Sequence, residues 1–150
     1  LRLQAGALRD LMYLVDTSVW VDFLRGSEAP HVRTLAELLA GEEIVGTAPI
    51  ILQEILQGAD SEERFDRWRR YFADLRCYLP SDPVQTHVAA ARLYQICRRA
   101  GKTPRSSNDC LIARIAIEHG LCLLQNDRDF DAISGAVPEL RLHPFTRQAP

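Results

Sequence analysis

The sequence predicts an α/β domain in which a short, mostly parallel sheet is covered by helices on both faces. Short apolar runs of strand length alternate with segments whose apolar residues recur at helical spacing, a pattern typical of parallel sheets. The chain has 150 residues, 47% of them hydrophobic and 25% charged, which suits one soluble domain with a real core. No internal repeat and no low-complexity linker divides it.

The elements follow in order. Residues 11–15 (Leu-Met-Tyr-Leu-Val) are too short for a helix and stop at Asp16-Thr17-Ser18, residue types that cap helices well. A helix from about Ser18 to Arg25 ends at Gly26, and residues 30–40 place Val32, Leu35, Leu38 and Leu39 on one side before Gly41. A brief strand over 43–46 leads into a helix opened by Thr47 and Pro49 and closed by Gly58. Residues 61–75 form a charged helix with Phe65, Trp68 and Phe72 as its core stripe. A strand over 76–79 stops at Pro80, and Pro83 starts a helix that ends at Gly101. Ser106 or Ser107 caps the next helix, whose Leu111, Ile112, Ile115, Ala116 and Ile117 leave almost no polar face, so it should be deeply buried. Strands over 121–125 and 140–143 complete the series. Binding sites in such sheets lie beyond the carboxyl ends of the strands.

Composition excludes several classes. The net charge of -2 carries no global nucleic-acid signal, so any basic surface must be local. Seventeen Arg stand against one Lys, Lys102; the planar Arg fork suits phosphate recognition, but a GC-rich genome produces the same skew. Cys77, Cys97, Cys110 and Cys122 are far apart, lack zinc-site spacing and read as buried free thiols of a reducing compartment. No apolar stretch is long enough to span a bilayer, and residues 1–11 lack a signal-peptide layout. Met12 reads as the natural start, with residues 1–11 an upstream extension or vector-derived remnant and 12–150 the domain. A cytoplasmic location is expected.

Four carboxylates are out of place. Asp16 and Asp127 each follow an apolar strand, Glu54 sits in the Ile- and Leu-rich run 50–58, and Asp109 opens the most apolar helix. Each has an ordinary explanation. Asp16 suits a helix N-cap, Asp127 a turn in Asn126-Asp127-Arg128-Asp129, Asp109 the positive end of a helix dipole, and Glu54 a helix edge. Together they are harder to explain separately. Two carboxylates about 4 Å apart repel by about 4 kcal/mol at an effective dielectric of about 20, so convergence either raises their pKa values or calls for a cation. Oxygen ligands without His or Cys favour Mg²⁺ or Mn²⁺. A divalent ion held by acids is a general means of cutting phosphate esters.

The residues around these acids carry a resemblance. Val15-Asp16-Thr17-Ser18-Val19-Trp20-Val21-Asp22-Phe23-Leu24-Arg25-Gly26 resembles the opening of PIN-domain ribonucleases, specifically toxins of the VapC type. Glu54-Ile55-Leu56-Gln57-Gly58, Asn108-Asp109-Cys110-Leu111-Ile112-Ala113 and Asn126-Asp127-Arg128-Asp129-Phe130 resemble the second, third and fourth motifs, in the expected order. The resemblance covers residues 12 to about 145. It implies a three-layer α/β/α fold, usually dimeric, and Mg²⁺- or Mn²⁺-dependent endoribonuclease activity, with tRNA or ribosomal RNA as frequent targets. It further implies a small VapB-like antitoxin that binds across the acidic groove. Metal ligation by Asp16, Glu54, Asp109 and Asp127 carries over from the family. Thr17 or Ser18 would orient the first carboxylate, with Asn108 and Asp129 in supporting places. Gln125-Asn126 departs from the family pattern, since many relatives have a hydroxyl residue two before the fourth acid.

Basic residues give two further signals. Arg64, Arg67, Arg69, Arg70 and Arg76 alternate with aromatics and read either as an RNA-backbone track or, the favoured reading, as the wet face of an amphipathic helix. Arg98, Arg99, Lys102 and Arg105 form a cleaner stretch leading to Asp109 and serve either as an RNA-phosphate contact or as a solvated helix end. The competing reading is a catalytically silent RNA-binding or regulatory protein of the same fold; retention of all four acids argues against it. A haloacid-dehalogenase-like phosphatase would want an acid where Ser18 stands. A receiver domain would want a Lys after a late strand, whereas Lys102 precedes the buried helix.

Overall fold

The computed structural model describes residues 12–144; the expected extension over 1–11 lies outside the described residues. Five strands form one sheet: β1 Met12–Val15, β2 Ile44–Thr47, β3 Arg76–Cys77, β4 Cys122–Leu124 and β5 Arg141–Leu142. Their order is β3-β2-β1-β4-β5, and every adjacent pair is parallel. Among the described residues seven helices flank them: α1 Thr17–Leu24, α2 Pro30–Ala40, α3 Pro49–Gln57, α4 Glu62–Ala73, α5 Pro83–Arg99, α6 Ser107–Glu118 and α7 Arg128–Ala136.

The topology places the site. From β1 the chain steps outward to β2 and β3, then returns to the other side of β1 for β4 and β5. Parallel crossovers are right-handed, so reversing the direction of travel moves the helices to the opposite face. Accordingly α1 packs with α2 and α3, α3 packs with α4, and α5 packs with α6 and α7. The result is the expected three-layer α/β/α sandwich. The strand order reverses between β1 and β4, and that switch point is where open α/β sheets open a crevice. The Asp16 N–H donates to the Leu124 carbonyl at 2.9 Å, holding the two strand ends together there.

The core lies where the alternation of elements requires it. Leu14 and Val15 of β1 and Leu123 and Leu124 of β4 are fully buried between the layers. On α6 the residues Cys110, Ile112, Ala113, Ile115 and Ala116 are all buried, as its apolar circumference predicts. Each large aliphatic side chain so buried contributes about 1.5–3 kcal/mol. Trp20 fixes α1 from the other face, with Phe72 of α4 edge-on to its ring at 4.9 Å. In β2, Gly46 has no side chain because the Tyr78 ring lies where a Cβ would be.

Three details differ from expectation. Residues 128–136 form a helix the apolar pattern does not reveal, since only Phe130 and Ile133 are buried in it. Phe65 is 38% exposed, so the α4 stripe contributes chiefly Phe72 to the core. Cys77 is exposed on the edge strand β3; Cys97 and Cys110 are the buried thiols, with Cys122 half-buried. Among the described residues no helix is long and apolar enough to cross a membrane.

Candidate active site

Each acid is held by a different element, and all four meet at the switch point. Asp16 ends β1 in extended conformation and caps α1, its Oδ2 accepting from the Ser18 N–H at 3.1 Å and the Ser18 hydroxyl at 2.6 Å. Glu54 reaches over from α3, its Oε1 accepting from the Thr17 hydroxyl at 2.9 Å. Asp109 stands in the first turn of α6, behind the Ser106 cap. Its carboxylate accepts no hydrogen bond from the described residues. Asp127 follows β4 and caps α7, with Oδ1 accepting from the Asp129 N–H at 2.9 Å.

These side chains line one open cavity of about 370 Å³, together with Thr17, Ser18, Arg105, Ser106 and Asp129. Asp109, Asp127 and Asp129 each present an oxygen within 4.8 Å of the others. Asp16 is 4% exposed at the cavity floor. Burial pushes its pKa up to about 6, against the Ser18 hydrogen bonds and with a small push from Glu54. Asp109 is pushed up to about 7, first by burial and then by the charges of Asp16, Asp127, Asp129 and Glu54. Among the described residues, five carboxylates share the cavity with one cationic side chain, Arg105. A donor set of oxygens alone, carrying surplus negative charge, fits a hard divalent cation.

The remaining candidates fall in several places. Of the two hydroxyl residues, Ser18 bonds to Asp16, whereas Thr17 bonds to Glu54. Asp129 stands in the acid cluster itself. Asn108 faces a different cavity, between α5 and α6, with Ile50 and Tyr94. Arg98, Arg99 and Lys102 do not line the acidic cavity, and the Lys102 ammonium lies beside Gly135 on α7. Arg105 enters the cavity, where its Nη2 donates to Asp127 at 2.9 Å and its Nε to Asp129 at 3.2 Å. Gln125, marked in the sequence only as a departure, proves to be a buried strut. Its Oε1 accepts from the Asp127 N–H at 2.6 Å and its Nε2 donates to Asp131 at 3.2 Å. The signal available in the sequence was an amide placed directly at the end of the apolar run Leu121-Cys122-Leu123-Leu124.

Comparison with known proteins gives the family. The PIN domain family profile matches residues 13–136. VapC ribonuclease Mb1587 of Mycobacterium bovis is 37% identical over 124 residues, covering 82% of this chain and 92% of that protein. Ribonuclease VapC32 of Mycobacterium tuberculosis is 31% identical over 121 residues, covering 81% and 89%. Among solved structures, the VapBC2 complex of Rickettsia felis bound to a promoter DNA fragment superimposes with a TM-score of 0.67 at 21% identity, covering 88% of this chain and 97% of that one. At that identity the likeness is one of fold. The chain belongs to the PIN domain family and, within it, to the VapC type.

Proposed function

We propose that this protein is an endoribonuclease toxin whose acidic cavity binds Mg²⁺ or Mn²⁺ and hydrolyses RNA phosphodiester bonds. The observation that carries this reading is the convergence of Asp16, Glu54, Asp109 and Asp127, from four separate segments, on one cavity at the sheet's switch point. Asp16, Glu54, Asp109 and Asp127 are the residues that would hold the cation, with Asp129 beside them. When bound, the cation supplies charge stabilisation at the scissile phosphate and an activated water. The protein's part is to aim the acids. Ser18 fixes one oxygen of Asp16, Thr17 fixes Glu54, and Gln125 fixes the backbone of Asp127. The open mouth of the cavity admits an RNA strand.

The solved relatives named as VapBC complexes support a small VapB-like antitoxin as partner. Val84 and Val88, exposed on α5 at 69% and 55%, support a homodimer or a hetero-oligomer with that antitoxin. A cytoplasmic location follows from an RNA substrate. The test is mapping of new RNA 5′ ends after brief expression, wild type against Asp16→Asn, together with cleavage by purified protein in Mg²⁺ or Mn²⁺ and in EDTA. Discrete new ends that vanish with Asp16→Asn and EDTA support the reading; equal cleavage by Asp16→Asn overturns it.

A further inference from the structure

Gly101 (φ +75°) turns the chain out of α5 into a loop that returns Arg105 to the acids. Arg105 is tied there three times. Its backbone N–H and its Nε both donate to Asp129 Oδ2, at 3.0 and 3.2 Å, and its Nη2 donates to Asp127 Oδ1 at 2.9 Å. Asp127 and Asp129 supply two of the three carboxylates whose oxygens lie within 4.8 Å of one another; the third, Asp109, receives nothing from the guanidinium. The Arg105 side chain is 76% exposed, while those of Asp127 and Asp129 are 30% and 16% exposed. The guanidinium thus lies on the solvent side of these two acids, on a side chain left largely in solvent.

We propose that Arg105 is a tethered counter-cation that a divalent ion must displace from Asp127 and Asp129, so that guanidinium and ion exchange at the same carboxylates. This rests on the metal reading of the cavity given above. A guanidinium holds a carboxylate through a planar fork and cannot lose its charge, so at every physiological pH it offsets one of the negative charges at Asp127 and Asp129. It supplies less charge than a divalent ion and does not reach Asp109, so the ion displaces it when present. The exchange lowers apparent metal affinity by the fraction of molecules in which the acids are already engaged. Displaced, the guanidinium remains at the rim of the cavity, where an RNA phosphate would enter.

Mn²⁺ titration calorimetry on the intact chain tests this. Exposed pairs of this kind are weak singly, so Arg105→Ala should bind Mn²⁺ about three- to tenfold more tightly than wild type. Lys102→Ala removes a charge from the same loop without touching the acids and should change affinity by less than about twofold. In the wild type, the Arg105 Nε–H resonance should move to the position of a free guanidinium as Mg²⁺ saturates. Arg105→Ala keeps the backbone bond to Asp129, so the loop stays anchored. Unchanged or weaker Mn²⁺ binding by Arg105→Ala, or an equal gain in Lys102→Ala, overturns the exchange. If Asp109→Asn still abolishes binding in that case, the metal reading stands without it. Absence of Mn²⁺ binding in both wild type and Arg105→Ala overturns exchange and metal site together.

Discussion

The two ends of α6 hold acids in opposite circumstances. At the N-terminal end Asp109 receives no hydrogen bond from the described residues, and burial together with four neighbouring carboxylates pushes its pKa up to about 7. At the C-terminal end Glu118 is tied on every side. Its oxygens accept from the Thr86 hydroxyl at 2.7 Å, from Arg114 at 3.2 Å, and from the Ser81 N–H and hydroxyl at 3.2 and 3.1 Å. Burial raises the Glu118 pKa, but these hydrogen bonds outweigh it and hold the carboxyl below its usual range. By the helix dipole alone the order would be reversed, since an acid is favoured at the N-terminus and disfavoured at the C-terminus. Partners therefore decide. Glu118 has been supplied with donors and belongs to the fold; Asp109 has been left without them, which is what the proposed cation site requires.

The contrast can be broken by exchanging roles. Asp109→Asn should reduce RNA cleavage by about 10²–10³-fold, a typical cost of losing one electrostatic group at a reacting centre. Glu118→Gln should leave cleavage near wild type. A comparable loss of cleavage in both variants would show that the two acids are not distinct in kind. Stability should sort them the other way. Glu118→Ala strands Thr86, Arg114 and Ser81 around a side chain only 9% exposed and should cost about 2–4 kcal/mol in a urea titration. Asp109→Asn should leave the metal-free fold equally or more stable.

The Asp109 side of this contrast was legible in the sequence; the Glu118 side was not. Asp16 and Asp127 each end an apolar run of strand length, and Asp109 precedes a helix with no polar face, so their convergence follows from strand order. The partners were less legible, because they come from distant segments. Ser81 and Glu118 are 37 positions apart, and Arg105 and Asp129 are 24 apart. Helix α7 escaped because Ser134 and Gly135 are poor helix formers and Asp127 reads equally well as a turn residue or a cap. Its helix is set by tertiary burial of Phe130 and Ile133.

Smaller changes sharpen the comparison. Ser18→Ala removes the 2.6 Å bond to Asp16, leaving that acid closer to the condition of Asp109. The loss is worth about 1 kcal/mol, and should appear as cleavage weakened about three- to tenfold at low Mg²⁺. The pH response should be of opposite sign at the two ends. A carboxyl whose folded pKa is raised favours the fold when protonated, so the stability due to Asp109 is present at about pH 4 and is lost as pH rises toward about 7. The lowered pKa of Glu118 gives stability that is present above the ordinary carboxylate range and lost as pH falls through its folded pKa. Metal-free protein should accordingly melt higher at pH 5.5 than at pH 7.5 (conditions chosen as roughly spanning the Asp16 and Asp109 shifts), and Asp109→Asn should flatten that difference. Glu118→Gln should instead flatten the fall in stability at more acid pH.

The most direct test of the claim that Asp109 awaits a cation is melting temperature against Mg²⁺ concentration at neutral pH. A ligand at about ten times its Kd stabilises a protein by about 1.4 kcal/mol, which raises the wild-type melting temperature by about 3–6 °C. Asp109→Asn should start at or above the metal-free wild type and respond little, while Glu118→Gln should start lower and rise as wild type does. An equal rise in wild type and Asp109→Asn, or no rise in wild type, would contradict the account.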